Sequence, residues 1–346
     1  MNKKLFAILS VLVIGSLLLA ACAAKTEAPT EEEEDCSSDT MLCIGLVTDV
    51  GEIDDKSFNQ SAWEAVQQAE AEYSATINYV QTADAKDYMS NIELFANEDY
   101  DIIVTVGYAL GEATLEAAQT YLEIDFIGID QAGDDTVPNF TGVLFEEDKS
   151  GFLAGVLAGM LTETNTVAAV LGTDIIPAVV LFKEGYEAGA VWANPDVNVI
   201  STYHPGGLDV AFTDPEWGAT TAAQAIENGA DVVFGAGGKT GGGALIEAAN
   251  HEGLFCIGVD SDQWLTVPEA HPCLVSSAMK LITPAVFELI GMSVDGTFPG
   301  GTHFGAVGLA PFHDLEALVT QDILDKIEEA RQGLEDGSIV VEIPSE

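Results

Sequence analysis

Asp49, Phe58, Asn59, Tyr108, Asp130, Phe212, Gly237, Gly238, Asp260 and Lys280 each fall at or shortly after a run of apolar, β-branched residues, or in the loop that follows one. Ligands of open α/β sheets bind outside the carboxyl ends of the strands, so these positions form a candidate site if the runs are strands. Their chemistry is coherent. Aromatic faces stack on a flat heterocycle, a carboxylate accepts from two hydroxyls of a diol at once, and an ammonium donates to a ring or sugar oxygen. Stacking contributes roughly 1 to 3 kcal/mol per base and a hydrogen bond to a charged group about 1.5 to 3. A few such contacts reach the ~8 to 12 kcal/mol of micromolar to nanomolar binding. Each residue also has a plainer use: Asp49 as a turn or helix cap, Phe58 and Phe212 as core, Asp130 and Asp260 as acceptors for loop N–H groups. A solvated role suits Lys280 least, because it follows the apolar run SSAM in a chain that uses lysine rarely.

Catalytic and cofactor motifs fail on spacing. In GAGGKTGGG, residues 235–243, the first glycine of a phosphate loop would have to stand at Val233, and a G-x-G-x-x-G reading from Gly235 puts Thr240 at the third glycine. What is left is a glycine-rich turn between a strand and a helix. VTDVGEIDD is similar to the D-x-D-P-G-x-D-D start of calcium-dependent nucleoside hydrolases, but Val47 stands for the first Asp, Val50 for the Pro, and Glu52 is an extra residue before Ile53. Asp54 and Asp55 fit better as initiators of the following helix, at the positive end of its dipole. His204, His251, His271, His303 and His313 lie in no recognisable motif and no G-x-S-x-G occurs. No catalytic residue, cofactor or metal site is therefore expected.

The elements that must position these residues follow from periodicity. Strands are expected at CIGLVTDV, TINYVQT, DIIVTVG and DFIGID, separated by helices at about 57–73, 86–97 and 109–121. In the first helix Phe58, Ala62, Ala65, Val66 and Ala69 share one stripe, opposite Gln60, Glu64, Gln67 and Glu70. A second set follows: strands at VAAVLG, VNVISTY, DVVFGA and LFCIGVD, with helices at about 148–162, 178–191, 215–228 and 241–252. CLVSSAM, a helix from Ala285 to Val294, the strand HFGAVGLA, a helix at about 319–332 and a last strand SIVVEI complete the chain. This predicts an α/β protein of two doubly wound parallel-sheet lobes with several crossovers acting as a hinge, residues 41–146 plus 281–309 in one lobe and 147–280 plus 310–346 in the other. A single large α/β domain is the alternative.

The chain begins with a basic n-region and an apolar run that ends at small residues, a secretory leader over residues 1–21. Leu19-Ala20-Ala21-Cys22 is a lipobox, so Cys22 is expected to become an acylated N-terminus, and residues 22–40 read as an acidic, disordered tether. Cys36, Cys43, Cys256 and Cys273 remain outside the cytoplasm. Cys36/Cys43 and Cys256/Cys273 are close enough in sequence to bridge, although four cysteines allow three connectivities and free buried thiols are the alternative. The 57 acidic and 11 basic side chains give −46, and removal of Lys3 and Lys4 with the leader makes it −48. A field of that sign disfavours nucleic acid and anionic ligands and favours a neutral or cationic guest.

IGLVTDVGEIDDKSFNQSAWEAV, GFLAGVLAGML, FKEGYEAGA, FGAGGKTGGGALIEAA, IGVDSDQ and SSAMK, in that order, resemble the basic membrane protein family of substrate-binding lipoproteins, whose best-understood members are purine-nucleoside receptors of ABC importers. The resemblance runs from about Leu42 to the expected C-terminal strand. It implies a type I periplasmic-binding-protein fold, a purine stacked between Phe58 and Phe212, base edges read by Asp49 and Asp130, and a ribose held by Asp260, Lys280 and the Gly237/Gly238 turn. It also implies a lipid-anchored, extracytoplasmic monomer that binds adenosine, guanosine or inosine and passes it to a membrane permease. A nucleoside-cleaving hydrolase and a receptor-signalling lipoprotein are the alternatives. Two features depart from the family: YHPGGLDVAFTDPEWG is longer than its usual loop, and Lys239 stands where a small or polar residue is usual.

Overall fold

A computed structural model describes residues 36–38 and 40–343. The leader, the lipobox with Cys22 and most of the tether lie outside the described residues. Two six-stranded sheets organise the chain. In the first, the strand order is β11-β5-β4-β3-β1-β2, made of β1 (Cys43–Val50), β2 (Thr76–Thr82), β3 (Ile102–Val106), β4 (Asp125–Ile129), β5 (Phe140–Leu144) and β11 (Gly301–Phe304), all parallel. The second, β12-β10-β9-β8-β6-β7, consists of β6 (Thr166–Leu171), β7 (Asn198–Tyr203), β8 (Val232–Ala236), β9 (Phe255–Asp260), β10 (Leu274–Lys280) and β12 (Val307–Leu309), of which only β12 runs antiparallel to its neighbour.

Parallel strands covered on both faces read as continuous apolar runs, which is why IIVTV and VVFGA are buried along their whole lengths. Helices α1 (Phe58–Tyr73), α2 (Tyr88–Ala96) and α3 (Gly111–Thr120) cover the first sheet; α4 (Glu147–Leu161), α5 (Pro177–Ala193), α6 (Pro215–Glu227) and α7 (Gly238–Ala249) serve the second. A short α8 (Gln263–Thr266) follows β9. Helix α9 (Ile282–Val294) returns to the first lobe, where Val286, Leu289 and Ile290 share a core with Ile44 and Leu46. The last helix, α10 (Gln321–Asp336), packs Ala330 and Leu334 against Phe152 and Val156 of α4.

Two expectations are corrected. HFGAVGLA is not one strand in one lobe: Gly301–Phe304 pairs with β5 of the first sheet and Val307–Leu309 with β10 of the second. The break falls at Gly305, where a Cβ would lie 2.2 Å from Phe145 Cε1, so the crossover packs against an aromatic ring that leaves no room for a side chain. SIVVEI forms no strand; Gly337 ends α10 in the left-handed region (φ 76°), Ile339 N–H donates to Gly333 O, and Val341 packs in the core beneath α10.

The cysteines pair as Cys36–Cys43 and Cys256–Cys273. The first bridge joins Cys36, expected in the tether, to Cys43 at the start of β1, so Cys36 is held to the folded lobe. No described helix is long and apolar enough to cross a membrane.

Candidate ligand cleft between the lobes

The ten residues taken from strand ends all line one cleft, of about 730 Å³ including its open mouth. A cleft of that size is within the range that takes small organic ligands. Asp49 closes the inner end of β1 and accepts from Asn59 Nδ2 at 3.4 Å. Gly107, just past β3, is held at φ 113°, and a Cβ there would lie 2.6 Å from Asp49 Oδ2; this turn needs glycine for both reasons. Tyr108 follows it and is half exposed.

Asp130 and Asp260 stand at matching places in the two sheets, at the ends of β4 and β9, and both adopt left-handed backbone (φ 58° and 61°). Asp is among the residues that tolerate this conformation. Lys280, the last residue of β10, lies between them: Nζ is 2.7 Å from Asp130 Oδ2, 3.5 Å from Glu147 Oε1 and 3.7 Å from Asp260 Oδ1, and 4.5 Å from the centroid of the Phe58 ring. Burial alone would lower the lysine pKa, but the three surrounding carboxylates outweigh it and hold the ammonium above its usual range. Burial likewise raises Asp130, with Lys280 pulling it partway back, and pushes Asp49 up to about 7.

Hydrogen-bonding capacity is left over in this cleft. Asn59 Oδ1 and Asp130 Oδ1 are both buried with no partner among the described residues. An unpaired buried acceptor costs about 1–3 kcal/mol, which a donor on a bound molecule would recover.

The sequence reading missed several participants. Asp55 lines the cleft and accepts the N–H groups of Ser57, Asn59 and Gln60 at 2.9, 2.9 and 3.1 Å, so it does organise the start of α1, as expected for that pair of aspartates. Burial raises its pKa to about 6. Asp54 does something else: with Glu52 it meets Lys239, the second residue of α7, across the mouth of the cleft. Ile176, Val179 and Phe182, at and near the start of α5, supply an apolar wall. Phe182 lies in the block FKEGYEAGA that carries the resemblance; Ile176 and Val179 are aliphatic, and their residue types do not distinguish a cleft wall from core.

The lobes are closed on one another. Ser57 Oγ donates to Asp260 Oδ2 at 2.7 Å, and Gln263 Nε2 and Thr266 Oγ1 both donate to Lys56 O, at 3.2 and 2.8 Å. Among the described residues no group of three or more His, Cys, Asp or Glu is arranged to hold a metal.

The family model described as Bmp, ABC transporter substrate-binding protein PnrA-like, matches residues 44–330. The chain belongs to this family. It is 33% identical to the CD4+ T-cell-stimulating antigen of Listeria innocua, over 99% of both chains. It is 29% identical to the ABC transporter nucleoside-binding protein BmpA of Lactococcus lactis, again over 99% of both, and 31% identical to basic membrane protein B of Borreliella burgdorferi over 81% of this chain and 80% of that one. Among solved structures, an ABC transporter solute-binding protein from Aeropyrum pernix superposes with a TM-score of 0.78 at 25% identity, over 88% of this chain and 94% of that one. This Bmp-family chain thus has the two-lobed type I periplasmic-binding fold, and its closed cleft is where such a fold takes its solute.

Proposed function

We propose that this protein captures purine nucleosides outside the cytoplasm, anchored to the membrane through an acylated Cys22, and delivers them to an ABC permease. The observation that carries the reading is the unpaired Asn59 Oδ1 and Asp130 Oδ1 in a cleft that also presents the Phe58 and Phe212 rings. Unsatisfied acceptors between aromatic surfaces suit a flat guest with N–H and O–H donors on its edges. Asp49, Asn59 and Asp130 would read the base; Asp260, Lys280 and the Gly237/Gly238 turn would hold the ribose, with Tyr108 at the rim. The surplus of acidic residues favours an uncharged nucleoside over a nucleotide.

Binding works by hinge closure. Because the ligand touches both lobes, it has higher affinity for the closed arrangement than for the open one and shifts the population toward it. No chemistry on the ligand is required, and the guest leaves intact.

Calorimetry of the mature domain with adenosine, guanosine, inosine, cytidine, ribose and AMP tests the proposal. Micromolar or tighter binding of purine nucleosides, with weak AMP binding and no free base appearing by chromatography, is the expected result. Silence toward all purine nucleosides, or release of free base, would refute it.

A further inference from the structure

The loop between β7 and α6 carries Phe212 but contains no strand or helix to hold it in place. Its own bonds are a few turns: Val210 and Ala211 N–H donate to Gly207 O, and Thr213 N–H to Val210 O. The ends of the loop are tied by one side chain. His204 is 6% exposed and does not line the cleft. Its backbone N–H donates to Leu171 O at 3.0 Å and Gly172 O at 2.8 Å, fixing it to the end of β6. Its Nδ1 accepts from Gly206 N–H at 3.0 Å. A ring nitrogen that accepts carries no proton, so in this arrangement the ring N–H is on Nε2. That nitrogen faces Asp214 Oδ2 at 3.5 Å, and the ring meets Trp217 edge-on at 4.6 Å. Asp214 in turn accepts from Trp217 N–H and donates its own N–H to Thr240 Oγ1, both at 2.9 Å. The imidazole therefore spans from the first turn of the loop to its last residue, and Phe212 lies between. The Phe212 ring is seated against Gly172, where a Cβ would come within 2.3 Å of Cε1.

We propose that His204 is the positioning residue for Phe212: by clamping both ends of the 204–214 loop it sets the aromatic wall of the cleft without touching what the cleft holds. The inference rests on the reading above, in which Phe212 stacks on the ligand.

The test combines amide hydrogen exchange of the ligand-free mature protein with nucleoside binding. In His204→Ala, peptides covering residues 205–213 should exchange at least about tenfold faster than in the unmodified protein. His204→Asn retains an acceptor at the place of Nδ1 but is too short to reach Asp214, and His204→Gln reaches toward Asp214 but lacks that acceptor; each keeps one end of the clamp, so both should exchange faster than the unmodified protein and more slowly than His204→Ala. In binding, His204→Ala should weaken inosine or guanosine about fivefold or more, the loss expected from one hydrogen bond and imperfect stacking. In a Phe212→Ala background the same change should have no further effect, a non-additivity that general destabilisation would not produce. Equal losses in both backgrounds, or unchanged exchange in His204→Ala, overturn the proposal. If His204→Ala does not fold, the Asn and Gln variants decide: both should exchange faster than the unmodified protein, and the original rate in both overturns the proposal. A protein that binds no purine nucleoside defeats the proposed function, while the exchange result still decides whether His204 holds the loop.

Discussion

Lys280 Nζ, at the end of a lobe-two strand, donates to Asp130 Oδ2, at the end of a lobe-one strand, at 2.7 Å. This bond joins the two sheets at the back of the cleft, and the same ammonium is the cation for Glu147 and Asp260. Its removal would leave the carboxylates of Asp130, Asp260 and Glu147 without their cation. Lys280→Met should therefore destabilise the ligand-free protein by about 3–5 kcal/mol, as for other broken buried ion pairs. Urea denaturation would measure it; a variant as stable as the original would show that the carboxylates are solvated and that Lys280 is no keystone.

Phe58 presents its ring to the cleft with Lys280 beside it. Phe58→Ala should weaken nucleoside binding at least about tenfold, the stacking contribution of one base, while Kd for ribose alone changes little. Calorimetry with both ligands separates the two. Unchanged nucleoside affinity would assign Phe58 to the core it borders.

At the mouth of the cleft, Lys239 pairs with Glu52 and Asp54, whose side chains are 55% and 63% exposed. Pairs this exposed contribute little, about 0–1 kcal/mol, so the effect belongs in kinetics. Lys239→Ala should speed ligand release about two- to fivefold and leave association nearly unchanged, because the bridge forms only on closure. Salt should speed release from the unmodified protein and not from the variant. Stopped-flow measurement at two ionic strengths checks this, and an equal salt effect in both proteins would argue against a clasp.

Burial raises the Asp49 pKa from 3.8 to about 7 in the folded state. A carboxyl group with a raised folded pKa contributes stability that is present below its unfolded pKa and lost as pH rises through the folded one, because the native state binds more protons in between. Asp49→Asn keeps an acceptor for Asn59 and carries no charge. It should be more stable than the unmodified protein by roughly 1 to 3 kcal/mol at pH 8, with the advantage shrinking to nothing near pH 4. Thermal unfolding across that range decides; a pH-independent difference would mean that the substitution acts through packing.

The strand ends were legible because parallel strands buried on both faces announce themselves as apolar runs, and the residue after each run is committed to the carboxyl edge of the sheet. Asp49, Asp130, Asp260 and Lys280 are each assigned to such an edge by the run that precedes them. Strand assignment fails where the local pattern carries no partner information. HFGAVGLA has the composition of one strand, yet its halves pair with different sheets, since pairing depends on which edge lies nearby. SIVVEI has the propensity of a strand, yet Ile339 and Val341 pack in the cluster beneath α10 and pair with no sheet.

The amino-acid sequence by itself determined the two α/β lobes, the crossovers between them, the acidic surface and the chemical types gathered at the cleft, because each follows from periodicity, composition or position along a strand. Only the tertiary structure decided which charges meet. Lys280 is 150 residues from Asp130, Lys239 is 187 from Glu52 and Ser57 is 203 from Asp260. Contacts at such separations are set by how the two lobes close on one another, and no local pattern encodes that orientation.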